Sequence, residues 1–260
     1  MSGEPIIKVR DLRVGYGELV ILERINFDVY KGEILAILGE SGCGKSTLLR
    51  HMIGLNKPQE GRVFIDGLPV LDSRGFVHQE VLRKIGVLFQ GSALFSSMTL
   101  VENVALPISV YTDLPEDTVN ALARLKLRMV KLGGYEEFYP REISGGMKKR
   151  AALARAMALN PRILFFDEPS AGLDPISTYE LDNLISYVNQ SFGTTIVMVT
   201  HDLQTVLTVA NRVILIDKRR KGIIAEGTPR FLMDHSRNSL VRKFFDSFSC
   251  SSEDRARLIL

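Results

Sequence analysis

The sequence has little of what marks secreted, membrane-spanning or nucleic-acid-binding proteins. Its two cysteines, Cys43 and Cys250, offer no disulfide framework. The start, MSGEPIIKVR, lacks the apolar core of a signal peptide, and the longest apolar runs, such as Ile34–Leu38, are far shorter than the roughly 18 residues of a membrane helix. Lysine and arginine number 33 against 30 aspartate and glutamate, a near balance that does not indicate a nucleic-acid partner. We therefore expect a cytosolic chain that relies on another protein for any membrane span.

Short apolar runs that alternate with helical patterns predict an α/β core. Ile34–Leu38 is apolar without interruption, as expected of a parallel strand covered on both faces. Further strands are predicted near residues 7–14, 25–29, 63–65, 85–89, 163–166, 194–199 and 213–216. Helices are predicted at residues 45–54 and after Pro175 and His201.

Between residues 91 and 160 the pattern changes to one helix after another. Thr99 and Glu102 have the spacing of a capping box, and they open a helix that Pro107 is expected to end. Two more helices are predicted at residues 114–132 and 144–159. This succession predicts a helical lobe inserted into the α/β core.

The segment GESGCGKST, residues 39–47, matches the phosphate-binding pattern of Gly, four residues, Gly, Lys and Ser/Thr. It follows an apolar strand and opens a helix, the context that the motif requires, so its N–H groups can turn toward an anion at a helix N-terminus. Lys45 is predicted to reach the outer phosphates of ATP and Ser46 to bind Mg²⁺, whereas Cys43 contributes its backbone alone. The predicted ATP-binding residues of this segment are Gly39, Glu40, Ser41, Gly42, Cys43, Gly44, Lys45, Ser46 and Thr47.

Two later strands end in residues that suit phosphate chemistry. Asp167 and Glu168 follow an apolar strand, and we expect Asp167 to hold hydrated Mg²⁺ while Glu168 orients or deprotonates the attacking water. His201 follows the next predicted strand and is expected to reach the γ-phosphate. Acids before Pro169 also suit a helix start, and a lone histidine is more often a core or capping residue. The phosphate loop favours the catalytic interpretation.

Further motifs stand in an order typical of one family. Gln90 follows a strand, ISGGM occupies residues 143–147 and AGLD residues 171–174. With the phosphate loop, the acids and His201, the chain resembles the nucleotide-binding subunits of ABC transporters over about residues 6–245, followed by a tail at 246–260. The resemblance implies a P-loop NTPase fold of the ABC ATPase type, with an antiparallel β portion and the helical lobe at about 91–160.

The resemblance also implies roles for individual residues. Tyr16 would stack on adenine, although a packed tyrosine before a glycine turn is an equal alternative from local sequence. Gln90 would contact Mg²⁺ and the attacking water, and Asp174 would shape the seam of a head-to-tail homodimer. In that dimer the signature motif completes the ATP site of the other subunit, and its residues are Ser144, Gly145 and Gly146.

The signature departs from the generic pattern at Met147, which stands where glutamine is usual and cannot donate a hydrogen bond. The chain is similar to the ATPases of Mla-type phospholipid transport systems in this feature, in the basic residues and the AALARA helix that follow it, and in residues 88–95, 99–107 and 167–175. That similarity implies a permease and an MCE-domain lipid-binding protein as partners, at the cytoplasmic face of the inner membrane. An importer of amino acids or another small solute is the alternative. A soluble ABC ATPase acting on nucleic acid or ribosomes is a further alternative, but such proteins usually have a long coiled coil or a second ATP cassette. Because this sequence shows neither feature, we expect no nucleic-acid partner.

Two weaker patterns leave their roles open. The basic run KRRK at residues 218–221 suits a solvated hairpin tip or contact with anionic lipid headgroups. An apolar helical stripe in the tail suits packing against the chain's own core or docking on a neighbouring copy. The stripe consists of Leu240, Val241, Phe244, Phe245 and Phe248.

Overall fold

The computed structural model describes residues 3–236 and 238–245. The strands are β1 (Pro5–Tyr16), β2 (Leu19–Tyr30), β3 (Ile34–Leu38), β4 (Glu60–Ile65), β5 (Leu68–Pro69), β6 (Ile85–Leu88), β7 (Ile163–Asp167), β8 (Thr195–Val199), β9 (Arg212–Asp217) and β10 (Gly222–Gly227). The helices are α1 (Lys45–Met52), α2 (Gln79–Lys84), α3 (Leu100–Tyr111), α4 (Glu116–Met129), α5 (Gly145–Ala156), α6 (Pro175–Phe192), α7 (Leu203–Val209) and α8 (Pro229–His235). Residues 239–245 are also helical.

The larger sheet has six strands in the order β10-β9-β3-β8-β7-β6. Neighbouring strands from β9 to β6 are parallel, and β9 and β10 form an antiparallel hairpin. Every residue of β3, β7 and β8 is buried. The carboxyl ends of these strands therefore meet at one edge of the sheet, where ligand sites of open α/β sheets lie.

Alternate residues of the central strands serve two separate cores. On β3, Leu35 and Ile37 face a core shared with the antiparallel sheet and α1, whereas Ala36 and Leu38 face a core shared with the helical segment. Because both faces of β3 are buried, its sequence is apolar without interruption.

The smaller sheet has four antiparallel strands in the order β2-β1-β4-β5. Its long strands β1 and β2 pair along most of their length, and alternate residues of β1 such as Ile7 and Val9 are buried. The expected antiparallel β portion is therefore present. β2 begins at Leu19, well before the predicted start at Ile25, because the strand continues into its hairpin with β1.

Pro107 does not end the helix, and that prediction was wrong. It lies inside α3, which continues to Tyr111. The helix keeps the predicted capping box, in which Glu102 N–H donates to Thr99 Oγ1 and Thr99 N–H donates to the Glu102 carboxylate. The burial of Val104 and Ile108 on either side of the proline holds the last turn in place, so tertiary packing outweighs the local cost of the missing N–H.

The other helices of this region end within a few residues of their predicted limits. α4 covers residues 116–129 instead of 114–132, and α5 ends at Ala156 instead of Leu159. The short helices α2 and α8 were not predicted. Residues 239–245 place Val241 and Phe245 in the core beside the helical segment, so this part of the stripe packs on the chain itself. Phe248 and the rest of the tail at 246–260 lie outside the described residues.

Candidate active site

The phosphate loop connects the buried strand β3 to α1. Gly44 is the N-cap of α1 and has φ of +105°, and Gly42 has φ of +74°. Both values lie in the region that favours glycine, which explains two of the loop's glycines. A Cβ on Gly44 would also lie 2.6 Å from the Ile21 side chain. Because Gly44 has no side chain to cap the helix, the first N–H groups of α1 are left for an anion.

Lys45 and Ser46 point from the start of α1 toward the sheet edge. The Lys45 ammonium donates to the carbonyl oxygens of Gly39 and Glu40 at 2.9 and 3.2 Å, so the charge lies within the loop. The Ser46 hydroxyl donates to Asp167 Oδ1 at 2.6 Å. Two oxygen atoms that could bind a metal ion, one on α1 and one at the end of β7, thus meet although their residues are far apart in the sequence.

Glu168 is held in an uncommon conformation directly after β7. Its φ is +49°, a value that a non-glycine residue adopts rarely, and its N–H donates to Val199 O at the end of β8. Its carboxylate is largely buried and contacts His201 Nδ1 at 2.8 Å. Because an ionised carboxylate can only accept, Nδ1 of a neutral His201 carries the proton in this contact. The fold therefore joins the predicted base and the predicted γ-phosphate residue in one pair.

Lys149 is a site residue that the sequence did not reveal. It lies on α5, and its buried ammonium donates to Gln90 O at 2.6 Å and to Glu168 O at 3.3 Å. Burial lowers the pKa of Lys149, while the neighbouring Asp167 and Glu168 act in the opposite direction. One side chain thus connects the signature helix to the backbone at Gln90 and Glu168. Its only sequence signal is its place in the basic run after the signature.

A cavity of about 640 Å³ brings most of the predicted residues together. The phosphate loop, Gln90, Glu168 and His201 all contribute to its wall, as do residues of β2 and of the β9–β10 turn that were not predicted. Among the described residues, the lining consists of Leu19, Val20, Ile21, Ser41, Gly42, Gly44, Lys45, Ser46, Thr47, Gln90, Glu168, His201, Lys218 and Lys221.

Five of the predicted nucleotide- or Mg²⁺-binding residues, Tyr16, Gly39, Glu40, Cys43 and Asp167, are not among the described residues that line this cavity. Tyr16 is half exposed at the end of β1, and a hydrogen bond with Thr47 lowers the pKa of its hydroxyl, with burial acting in the opposite direction. Cys43 is buried in the core under the loop, where burial raises the pKa of its thiol. Glu40 is exposed. Because Tyr16 is half exposed, its ring remains accessible for the predicted contact with adenine.

The signature residues lie at the start of α5, outside the lining of the cavity that contains their own phosphate loop. Ser144 is the N-cap of α5 and accepts from Met147 N–H at 3.2 Å, while Gly145 is exposed. None of Ser144, Gly145 and Gly146 is among the described residues that line the cavity. Met147 packs against the apolar core, which accounts for a side chain there without hydrogen-bonding capacity.

Asp174 caps α6 close to the signature. Its carboxylate accepts from the N–H groups of Ile176 and Ser177 and from the Ser177 hydroxyl, and the Ser177 side-chain bond is the main cause that lowers the pKa of Asp174. A Cβ on Gly146 would lie 2.9 Å from Ser177 Oγ, so the signature helix and α6 are in close contact.

Comparison with known proteins identifies the family. Residues 22–171 match the family model described as ABC transporter. The chain belongs to this family. It is 40% identical over 228 residues to the intermembrane phospholipid transport system ATP-binding protein MlaF of Haemophilus influenzae, covering 88% of this chain and 86% of that protein. It is 39% identical over 240 residues to the probable ribonucleotide transport ATP-binding protein mkl of Mycobacterium leprae, covering 92% and 68%.

A solved structure supports both the fold and the reaction. The chain superimposes on the ATP-binding cassette MJ0796, in its dimeric post-hydrolysis state bound to ADP and Pi, with a TM-score of 0.75 and 31% identity over 86% of this chain and 99% of that one. The predicted family and fold class are therefore confirmed, and the chain is an ATPase that binds ATP. Within the described residues, no helix is long and apolar enough to cross a membrane.

A buried carboxyl group on α6 shares a hydroxyl neighbour with Asp202, the residue after His201. Asp182 on α6 is buried, and the Thr205 hydroxyl lies 3.1 Å from Asp182 Oδ2 and 3.2 Å from Asp202 Oδ2. Asp202 also accepts from Ser170 Oγ at 3.2 Å. The single hydroxyl proton of Thr205 can be donated to only one of these two carboxylates at a time. Asp182 Oδ1 is buried and has no hydrogen-bond partner among the described residues. Burial, together with the charge of Asp202 and against the Thr205 bond, raises the pKa of Asp182 to about 6.

This raised pKa makes stability depend on pH. Between the ordinary pKa near 4 and the folded value of about 6, the folded chain keeps a proton on Asp182 that the unfolded chain loses, so rising pH costs stability. In Asp182→Asn that cost is removed. We expect the difference in unfolding free energy, variant minus wild type, to increase by about 1 kcal/mol between pH 5 and pH 7.5 in urea titrations. A difference that is constant with pH would contradict the assignment.

Proposed function

We propose that this chain is the ATP-hydrolysing subunit of a membrane transporter for phospholipid, acting as a homodimer at the cytoplasmic face of the inner membrane. The observation that carries the enzymatic part is the meeting of Ser46 and Asp167 at 2.6 Å beside the Glu168–His201 pair. The cargo is supported by the similarity to MlaF of Haemophilus influenzae.

Mg²⁺ fits this site by the chemistry of its donors. The Ser46 hydroxyl and the Asp167 carboxylate are hard oxygen groups that converge on one point, and Gln90 lines the same cavity. These three residues would hold the ion, which when bound neutralises charge on the outer phosphates of ATP. Lys45 and the N–H groups at the start of α1 add positive charge from the loop side.

Glu168 acts as the general base or as the residue that orients water. It lines the nucleotide cavity, and its carboxylate is fixed by His201, so its position relative to the phosphate chain is set before ATP arrives. His201 Nε2 is left to face the γ-phosphate while Nδ1 is engaged by Glu168. Lys149 positions the Glu168 and Gln90 backbones and thereby links the helical segment to the acids of the core.

The exposed signature supports a head-to-tail homodimer. A helix N-terminus formed by Ser144, Gly145 and Gly146 is a second anion site that its own phosphate loop does not use. The γ-phosphate of a partner copy is the anion that fits it, and Asp174 lies beside this surface through its contact with Ser177. In this arrangement each copy holds half of two ATP sites.

A mostly apolar groove supports a permease contact. The groove of about 470 Å³ lies between β6 and α3 and includes Phe89, Phe95 and Val110. Half of Phe95 is exposed, and Arg155 lies over its ring while donating to the carbonyls of Ser92 and Ala93. Because this groove begins just past Gln90, movement at the nucleotide site reaches a permease helix placed there.

The test of the ATPase assignment compares two single variants. Glu168→Gln should bind ATP with unchanged affinity and hydrolyse it at least about a hundredfold more slowly, because the amide cannot take a proton. Lys45→Ala should lose nucleotide binding or turnover. Phosphate release and fluorescent-nucleotide titration measure the two effects. Wild-type turnover in Glu168→Gln would remove this residue from the base role, and normal activity in Lys45→Ala would overturn the phosphate-loop assignment.

The cargo is tested on the complex that the chain forms in its own membrane. The relative from Mycobacterium leprae is named for ribonucleotide transport, so the two cargoes are alternatives, while an amino-acid importer and a nucleic-acid ATPase are not favoured by these relatives. We expect a tagged chain to co-purify with a multi-span permease and an MCE-domain protein, and the reconstituted complex to move labelled phospholipid only with ATP and only with Glu168 intact. Transfer of ribonucleotide without phospholipid would contradict the proposal.

A further inference from the structure

The basic run at residues 218–221 is the tip of the β9–β10 hairpin, and its backbone is fixed beside the phosphate loop. Arg220 N–H donates to Asp217 Oδ1 at 2.8 Å and closes the turn. Lys221 O accepts from Glu23 N–H on β2 at 2.8 Å. On the other side β9 pairs with β3, and a Cβ on Gly39 would lie 2.6 Å from Ile216 O. The turn is therefore held between β2 and the start of the loop.

The four basic side chains divide into two pairs. Lys218 and Lys221 line the cavity of about 640 Å³ that also contains the phosphate loop, whereas Arg219 and Arg220 are not among the described residues lining it. All four are exposed. Neither lysine forms a salt bridge with any residue in the described part of the chain. Their charges thus face the cavity without a counter-ion from the protein.

The charge balance of the cavity indicates its ligand. In the described part of the chain, its charged lining consists of Lys45, Lys218 and Lys221 against one carboxylate, that of Glu168, which contacts His201. A concave site with an excess of one charge raises the local concentration of opposite ions and speeds their association. A membrane surface, by contrast, would meet the whole exposed tip and would engage the arginines as well as the lysines.

We propose that Lys218 and Lys221 form a second cationic wall of the nucleotide site, in addition to the phosphate loop. This wall binds the polyphosphate of ATP. This inference rests on the proposed roles of the phosphate loop. The pair adds affinity and association rate, while hydrolysis depends on Glu168. Arg219 and Arg220, which do not line the cavity in the described residues, are solvated side chains of the hairpin tip.

A matched pair of double variants tests the wall. K218A/K221A and R219A/R220A remove the same charge from the same turn, and only the first removes side chains that line the cavity. With the full chain and no membrane, fluorescent ATP titration should give a Kd about three- to tenfold higher for K218A/K221A in 50 mM salt, because exposed cations contribute modestly. The increase should shrink in 300 mM salt as screening shortens the Debye length. R219A/R220A should stay within about twofold of wild type.

Two further measurements make the result decisive. At ATP concentrations well below Kd, turnover should fall in K218A/K221A in line with its higher Kd, whereas R219A/R220A should keep wild-type turnover. Equal thermal midpoints for the two doubles confirm that both fold. Equal Kd values for the two doubles would overturn the wall. So would an unchanged Kd in K218A/K221A accompanied by loss of binding to vesicles that contain 30% phosphatidylglycerol, which would assign the tip to the membrane. If Lys45→Ala also bound ATP normally, the phosphate-loop site itself would be wrong, so the two failures are distinguishable.

Discussion

The parallel pairing of β3 with β8 and of β8 with β7 is the constraint on which the site depends. It fixes the register Ile37↔Val199 and Asp167↔Val199, so the phosphate loop, the two acids and His201 leave the sheet at one edge. The Ser46–Asp167 hydrogen bond of 2.6 Å and the Glu168–His201 contact of 2.8 Å both follow from that register. A slip by one residue would turn these buried strands over and separate the groups.

A few polar side chains of α5 connect the helical segment to the backbone near this edge of the sheet. Lys149 reaches from α5 to the carbonyls of Gln90 and Glu168, and Arg155 reaches from the same helix to Ser92 and Ala93. Both side chains therefore hold the backbone between Gln90 and Ala93, which runs from the nucleotide cavity to the apolar groove at Phe95. A buried lysine with carbonyl partners is costly to disturb, so this contact ties α5 firmly to the backbone at Gln90 and Glu168.

The parts of the site that could be predicted are those that local sequence determines. The phosphate loop is contiguous, and Asp167, Glu168 and His201 each follow an uninterrupted apolar strand. Lys149 could not be predicted, because its partners lie 59 and 19 residues away and are backbone atoms. The cavity-facing position of Lys218 likewise depends on strand order, which places β9 beside β3. Pro107 shows the opposite case, in which a reliable local signal is outweighed by packing in α3.

In the proposed head-to-tail dimer, each chain holds half of each of two ATP sites, with its phosphate loop in one and its signature in the other. The most direct measurement of this arrangement mixes two inactive variants, Lys45→Ala and Ser144→Glu, as full chains in their transporter complex. In a head-to-tail dimer of one copy of each, both lesions fall in one site, while the other site pairs an intact phosphate loop with an intact signature. ATPase activity of the mixture should therefore rise clearly above the sum of the separate variants. Activity no greater than that sum would contradict completion of the site by a partner copy.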